Sequence, residues 1–112
     1  MTAFSSSSAQ PFSYDVVLGR DEVVVTVMGE LDLAWAGELE RAVSWLRGAG
    51  HERIVIDLRD VEFMDSTGLR VLIGLRQSAE REGWRLTLVP GPRQVQRIFE
   101  LTATLALFDW RA

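Results

Sequence analysis

The sequence predicts an α/β domain in which a small mixed β-sheet, a leading antiparallel hairpin followed by parallel strands, packs with α-helices. Three observations carry this. Runs rich in β-branched residues at 14–18, 22–28 and 54–58 read as strands. Helical spacing appears after the second run, where Leu39, Ala42, Val43 and Leu46 fall at i, i+3, i+4 and i+7. A strand–helix–strand unit of this length implies a right-handed crossover and a parallel pair, whereas Gly19-Arg20-Asp21 has hairpin length. The 112 residues suit one domain, and a chain of this size buries about two-thirds of its unfolded surface, enough for one core.

In chain order, residues 1–12 contain the run Ser5-Ser6-Ser7-Ser8 and are expected to form a disordered tail, leaving 13–112 as the folded domain. In the second strand Val23, Val25 and Val27 alternate with Val24 and Thr26, so both faces are apolar and a strand covered on both sides, or nearly so, is expected. Gly29-Glu30-Leu31-Asp32 breaks that pattern. The first helix follows and is stopped by Gly48 and Gly50. Residues 54–58 form a short buried strand, and 59–65 a connection. Residues 66–81 form the next helix, with Leu69, Leu72, Ile73 and Ala79 broadly on one face and Gly83 ending it. Residues 85–89 form another strand. Pro90-Gly91-Pro92 is a turn, with Pro92 suited to the first position of a last helix carrying Val95, Ile98, Phe99 and Thr102. Leu105, Leu107, Phe108 and Trp110 form an apolar tail expected to dock on the core, and Trp45 and Trp84 are expected to pack partly buried.

Composition excludes several classes of function. A net charge of −4 argues against a nucleic-acid surface, which needs clustered Lys and Arg. There is no cysteine and one histidine, so thiolate metal sites, disulfides and most triad chemistry are out of reach. No apolar run approaches the ~20 residues needed to cross a bilayer, and the first residues do not read as a secretion signal, so no membrane insertion and a cytoplasmic location are expected. No cofactor or metal is expected.

Chemistry concentrates where the strand at 54–58 passes into the helix at 66–81. Asp65-Ser66-Thr67-Gly68 puts two hydroxyls at a helix start, where unpaired backbone N–H groups and the positive end of the helix dipole lie. Such a place suits a phosphate, although capping alone also favours Asp and Ser there. Asp65 reads as a helix cap, Gly68 as a point of close backbone approach. Asp32 suits either a cap of the first helix or a binding rim. Asp57 sits within a strand, where a carboxylate is disfavoured unless it reaches the sheet end or a partner, and is assigned to the site. His51 follows Gly48-Ala49-Gly50 and reads as a solvated loop residue.

Gly29-Glu30-Leu31-Asp32, Ile56-Asp57-Leu58, Val61-Glu62-Phe63-Met64-Asp65-Ser66-Thr67-Gly68-Leu69 and the later Val95-Gln96-Arg97-Ile98-Phe99-Glu100-Leu101-Thr102 together resemble the bacterial anti-sigma factor antagonists, single-domain members of the STAS family. The resemblance spans roughly residues 14–110. It implies a STAS-like fold and a protein that is not an enzyme. It implies a partner that is an anti-sigma factor serine kinase with a histidine-kinase-like ATP fold, which releases its sigma factor when the antagonist binds. Phosphorylation at Ser66 would switch the antagonist off, and a serine phosphatase would reset it. Asp32, Asp57, Asp65, Ser66, Thr67 and Gly68 would form the partner-binding site, with Thr67 a lesser candidate for modification. Trp35 departs from the family pattern of a small residue there, and two readings stay open, an interface anchor or a side chain tucked against the first helix.

Two other functions compete with this reading. A hydrolase or phosphoaspartate receiver built on Asp57, Asp65 and Ser66 lacks a base near the serine and a Gly-x-Ser-x-Gly elbow. A STAS module in a stress-signalling assembly, or in a lipid-transport complex, would share the fold without the sigma partner.

Overall fold

The computed structural model describes residues 2–5 and 11–111. One six-stranded sheet runs in the spatial order of the chain: β1 (Thr2–Ser5), β2 (Phe12–Leu18), β3 (Val23–Leu31), β4 (Arg53–Met64), β5 (Arg85–Val89) and β6 (Asp109–Trp110). The pairs β1–β2 and β2–β3 are antiparallel, and β3–β4, β4–β5 and β5–β6 are parallel. Helices α1 (Ala36–Gly48), α2 (Ser66–Glu82) and α3 (Arg93–Leu101) fill the crossovers. The mixed sheet with a leading hairpin is the predicted fold.

One cluster forms the core. Val23, Val25 and Val27 of β3 join Ile54, Ile56 and Leu58 of β4 and Leu86 and Leu88 of β5. Leu39, Val43 and Leu46 of α1, Leu69, Leu72 and Leu75 of α2, and Val95 and Phe99 of α3 pack onto them. The alternate residues of β3, Val24, Thr26 and Met28, are half-buried, so the second face is covered in part, while the core lies on the face of Val23, Val25 and Val27. At the far edge Phe99 meets Phe108 and Trp110 edge-on, with ring centroids 5.5 and 4.9 Å away. The apolar tail therefore docks as expected, through Phe108 and Trp110, while Leu105 and Leu107 stay exposed.

Several boundaries differ from expectation for physical reasons. Thr2–Ser5, expected to be part of a disordered tail, pairs as an edge strand with β2, and the rest of the serine run lies outside the described residues. Gly29-Glu30-Leu31 continues β3 instead of breaking it. Gly29 sits at φ 88°, and a Cβ there would meet the Pro11 carbonyl oxygen at 1.8 Å, so only glycine lets the strand pass. β4 runs through to Met64 because β3 stays beside it that far. Pro92 is the cap before α3, not its first residue. Both tryptophans depart from the partial burial expected of them: Trp84 is buried, with its indole N–H donated to Ser78 Oγ and Arg47 over its ring, whereas Trp45 is 62% exposed on α1.

Candidate functional site

The site is built where β3 and β4 end together. Leu31 pairs with Met64 in the last register, and the Asp65 N–H reaches the Leu31 carbonyl at 3.4 Å. Two loops leave from this point, one into α1 and one into α2.

Asp65 caps α2 as predicted. Its Oδ1 accepts the N–H groups of Thr67 at 2.9 Å and Gly68 at 3.1 Å. Its Oδ2 accepts the N–H of Leu33 at 3.3 Å, in the other loop. One carboxylate therefore ties the loop into α1 to the start of α2. Ser66 is the first residue of α2, exposed, and its hydroxyl has no hydrogen-bond partner among the described residues. Thr67 is half-buried. Gly68 is buried, and a Cβ there would lie 2.3 Å from the Leu31 carbonyl oxygen and 2.8 Å from Met64 Cγ, which establishes the close approach read from the sequence.

Asp32 does not cap α1 with its side chain. Its carboxylate accepts the Ala34 N–H at 3.1 Å within the loop, and its backbone carbonyl accepts the N–H of Ala36 at 2.8 Å. Trp35 stacks on Phe12, with centroids 6.4 Å apart and planes 9° from parallel, so its ring lies against β2 and is half-buried.

Asp57 stands apart from this group. It is paired in register with Thr26 and with Val89, the last residue of β5, seven residues before Met64 on β4. At ~3.3 Å per residue that is about 20 Å of strand. Asp57, assigned to the site from the sequence, marks the end of β5, while β3 and β4 continue past it towards Asp32 and Asp65. Asp57 is the buried charged side chain among the described residues, 4% exposed. Arg59 donates its backbone N–H to Oδ1 at 3.0 Å and its guanidinium to both oxygens at 2.8–3.1 Å. Burial pushes the Asp57 carboxyl up, and the hydrogen bonds and charge of Arg59 more than offset it, leaving it below the usual value.

Sequence reasoning missed three residues. Leu33 is 79% exposed and Phe63 is 51% exposed, two apolar side chains at the end of the sheet that carries Ser66. A leucine inside a polar turn was the available signal for the first. The third is Arg59, two residues from Asp57 and so on the same strand face. Asp32 and Asp65 lie in the two loops and Glu30 and Glu62 on the strands that lead to them, while the exposed Arg70 stands one turn along α2 from Ser66. Among the described residues no group of His, Cys, Asp and Glu is placed to hold a metal, and no helix is long and apolar enough to cross a membrane.

The family model of the STAS domain matches residues 14–111. The anti-sigma-B factor antagonist of Staphylococcus aureus (strain NCTC 8325 / PS 47) is 33% identical over 78 residues, 70% of this chain and 72% of that protein. Its counterpart of the same name in Bacillus subtilis (strain 168) is 30% identical over 95 residues, 85% of this chain and 86% of that protein. The crystal structure of an anti-sigma factor antagonist from Mycobacterium paratuberculosis superposes with a TM-score of 0.79 at 28% identity, covering 94% of this chain and 88% of that one. These relatives are named as regulators, not as catalysts.

Proposed function

Because the chain belongs to the STAS-domain family of anti-sigma factor antagonists, we propose that it binds an anti-sigma factor serine kinase, frees a sigma factor, and is switched off by phosphorylation at Ser66. The observation that supports this best is the state of the α2 N-terminus. The Thr67 and Gly68 N–H groups are already taken by Asp65, while the Ser66 hydroxyl is exposed. A phosphate on Ser66 would find its nearest helix donors occupied and would project from the surface.

Its effect would then fall on the partner. A phosphate adds about −1.5 to −2 charge beside the Asp65 carboxylate, which also ties down the loop that carries Asp32 and Leu33. Juxtaposing it with acidic or apolar partner groups costs several kcal/mol, which is a loss of ~10²-fold or more in affinity. No rearrangement of the fold is needed. Leu33 and Phe63 supply exposed apolar area that a partner would bury. A serine phosphatase would restore the unmodified form, and the protein itself would carry out no chemistry. This scheme works in the cytoplasm.

The test is a lysate pull-down with Ser66→Ala and Ser66→Asp baits, read by mass spectrometry. Capture of an ATP-binding anti-sigma kinase by the alanine form and its loss with the aspartate form is the expected result. Equal capture by both baits, or capture only of a membrane-transport or stress-signalling assembly, would overturn the sigma reading.

A further inference from the structure

We propose that Asp57, clasped by Arg59, is a positioning residue for the Ser66 site: it holds the bulge that turns β4 and so sets where the strand delivers Asp65 and Ser66. The inference rests on the reading above only in taking Ser66 as the working group.

The register carries the argument. From Val23↔Ile54 to Leu31↔Met64, β3 advances eight residues and β4 ten. The two extra residues enter at defined places. Thr26 faces Asp57, but Met28 faces Asp60; Gly29 faces Val61, but Glu30 faces Phe63. At each place β4 has one residue more than β3, a register shift of the bulge kind that leaves a residue outside the ladder. The first begins immediately after Asp57, where β5 also stops pairing. Within that stretch the Arg59 N–H is held by a side chain, Asp57 Oδ1, at 3.0 Å.

The Arg59 guanidinium fixes that acceptor in place by binding both oxygens. Beyond the bulge, β4 has lost β5 as a neighbour and is held by β3 and by the start of α3. There Gly91 lies close against the Leu58 carbonyl, and Gln94 Nε2 donates to the Glu62 carbonyl at 3.4 Å. The strand's direction after Asp57 is thus set at the bulge, and Asp65 and Ser66 lie at the end of that arm.

Asp57→Ala and Asp57→Asn separate this role from plain stabilisation, because asparagine keeps an oxygen for the Arg59 N–H. The measurement is amide exchange and chemical shift by NMR on the full chain, with no partner present, so its outcome is independent of the pull-down. Asp57→Ala is expected to move the Asp65–Gly68 resonances and to raise exchange at Thr67 and Gly68 by about tenfold over that at Leu72 and Leu75 of the same helix. Asp57→Asn is expected to restore most of the protection. Unmoved Asp65–Gly68 resonances, a uniform rise across α2, or no rescue by asparagine would each overturn the proposal. If Asp57→Ala does not fold, Arg59→Ala is read in the same way: a smaller displacement of the same resonances supports it, and none overturns it.

Discussion

Asp65 Oδ2 accepts the backbone N–H of Leu33 at 3.3 Å, across 32 residues of sequence. The same carboxylate caps α2 through Oδ1. The loop that presents Leu33 and the helix start that presents Ser66 are therefore fixed relative to each other by one side chain.

Asp65→Ala should lower stability by about 1 kcal/mol, the usual cost of losing an N-cap carboxylate. Asp65→Asn should lose less, since its amide oxygen still accepts. Urea unfolding with an unchanged m-value checks this. The alanine variant should also show faster amide exchange at Leu33 than the wild type, an effect that a cap acting on α2 alone would not produce.

Gly68 and Gly74 occupy the same helix and predict opposite outcomes. Alanine gains about 0.5–1 kcal/mol over glycine inside a helix. At Gly74, exposed with nothing within 4 Å of the added Cβ, that gain stands, so Gly74→Ala should raise the denaturation midpoint. At Gly68 the Cβ would meet the Leu31 carbonyl oxygen at 2.3 Å, and backbone cannot yield cheaply. Overpacking costs about 1–3 kcal/mol, which outweighs the helical gain, so Gly68→Ala should lower the midpoint.

The periodicity gave the helices and the short central strands because these bury one regular face each. The spacing at Leu39, Ala42, Val43 and Leu46 is the buried face of α1. Asp65, Ser66 and Gly68 were legible because a strand-to-helix turn leaves few choices of residue. The last six residues of β4 were not legible. Arg59, Asp60, Glu62 and Phe63 are all exposed, so they carry no alternation, and two bulges shift what remains. The place of Asp57 along β4 was not legible for the same reason: where β5 ends, β3 and β4 do not. The strand at Thr2–Ser5 has a composition that predicts no structure, and its pairing with β2 is decided by the neighbouring backbone.

Asp57 predicts a pH dependence. Its carboxyl lies below the ordinary 3.8 when folded, so between the folded and unfolded values the unfolded chain binds the extra proton. The stability it contributes is present above that ordinary value and is lost as pH falls through the folded one. Asp57→Asn should therefore be less stable than the wild type at pH 7, by about 1–3 kcal/mol for hydrogen bonds to a charged group. That gap should shrink as pH drops below 3.8, as denaturant midpoints across the acid range would show. A gap that stays constant through that range would mean that the Arg59 pair contributes nothing through charge.

Leu33 contributes to no core contact cluster and is 79% exposed, so Leu33→Ala should change stability by no more than about 0.5 kcal/mol. The backbone N–H that binds Asp65 is kept in that variant, and the loop stays where it is. If a partner covers this end of the sheet, the leucine is buried only in the complex. Burying such a side chain is worth about 1.5–3 kcal/mol, which is roughly a tenfold to hundredfold change in affinity. The kinase captured by the Ser66→Ala bait should therefore bind Ser66→Ala/Leu33→Ala at least about tenfold more weakly, by calorimetry or surface capture. Trp45→Ala is the control, because that side chain is also exposed but sits on α1, away from the Asp65 and Leu33 junction. Equal losses at Leu33 and Trp45 would place the partner elsewhere, and loss at Trp45 alone would move the interface onto the outer face of α1.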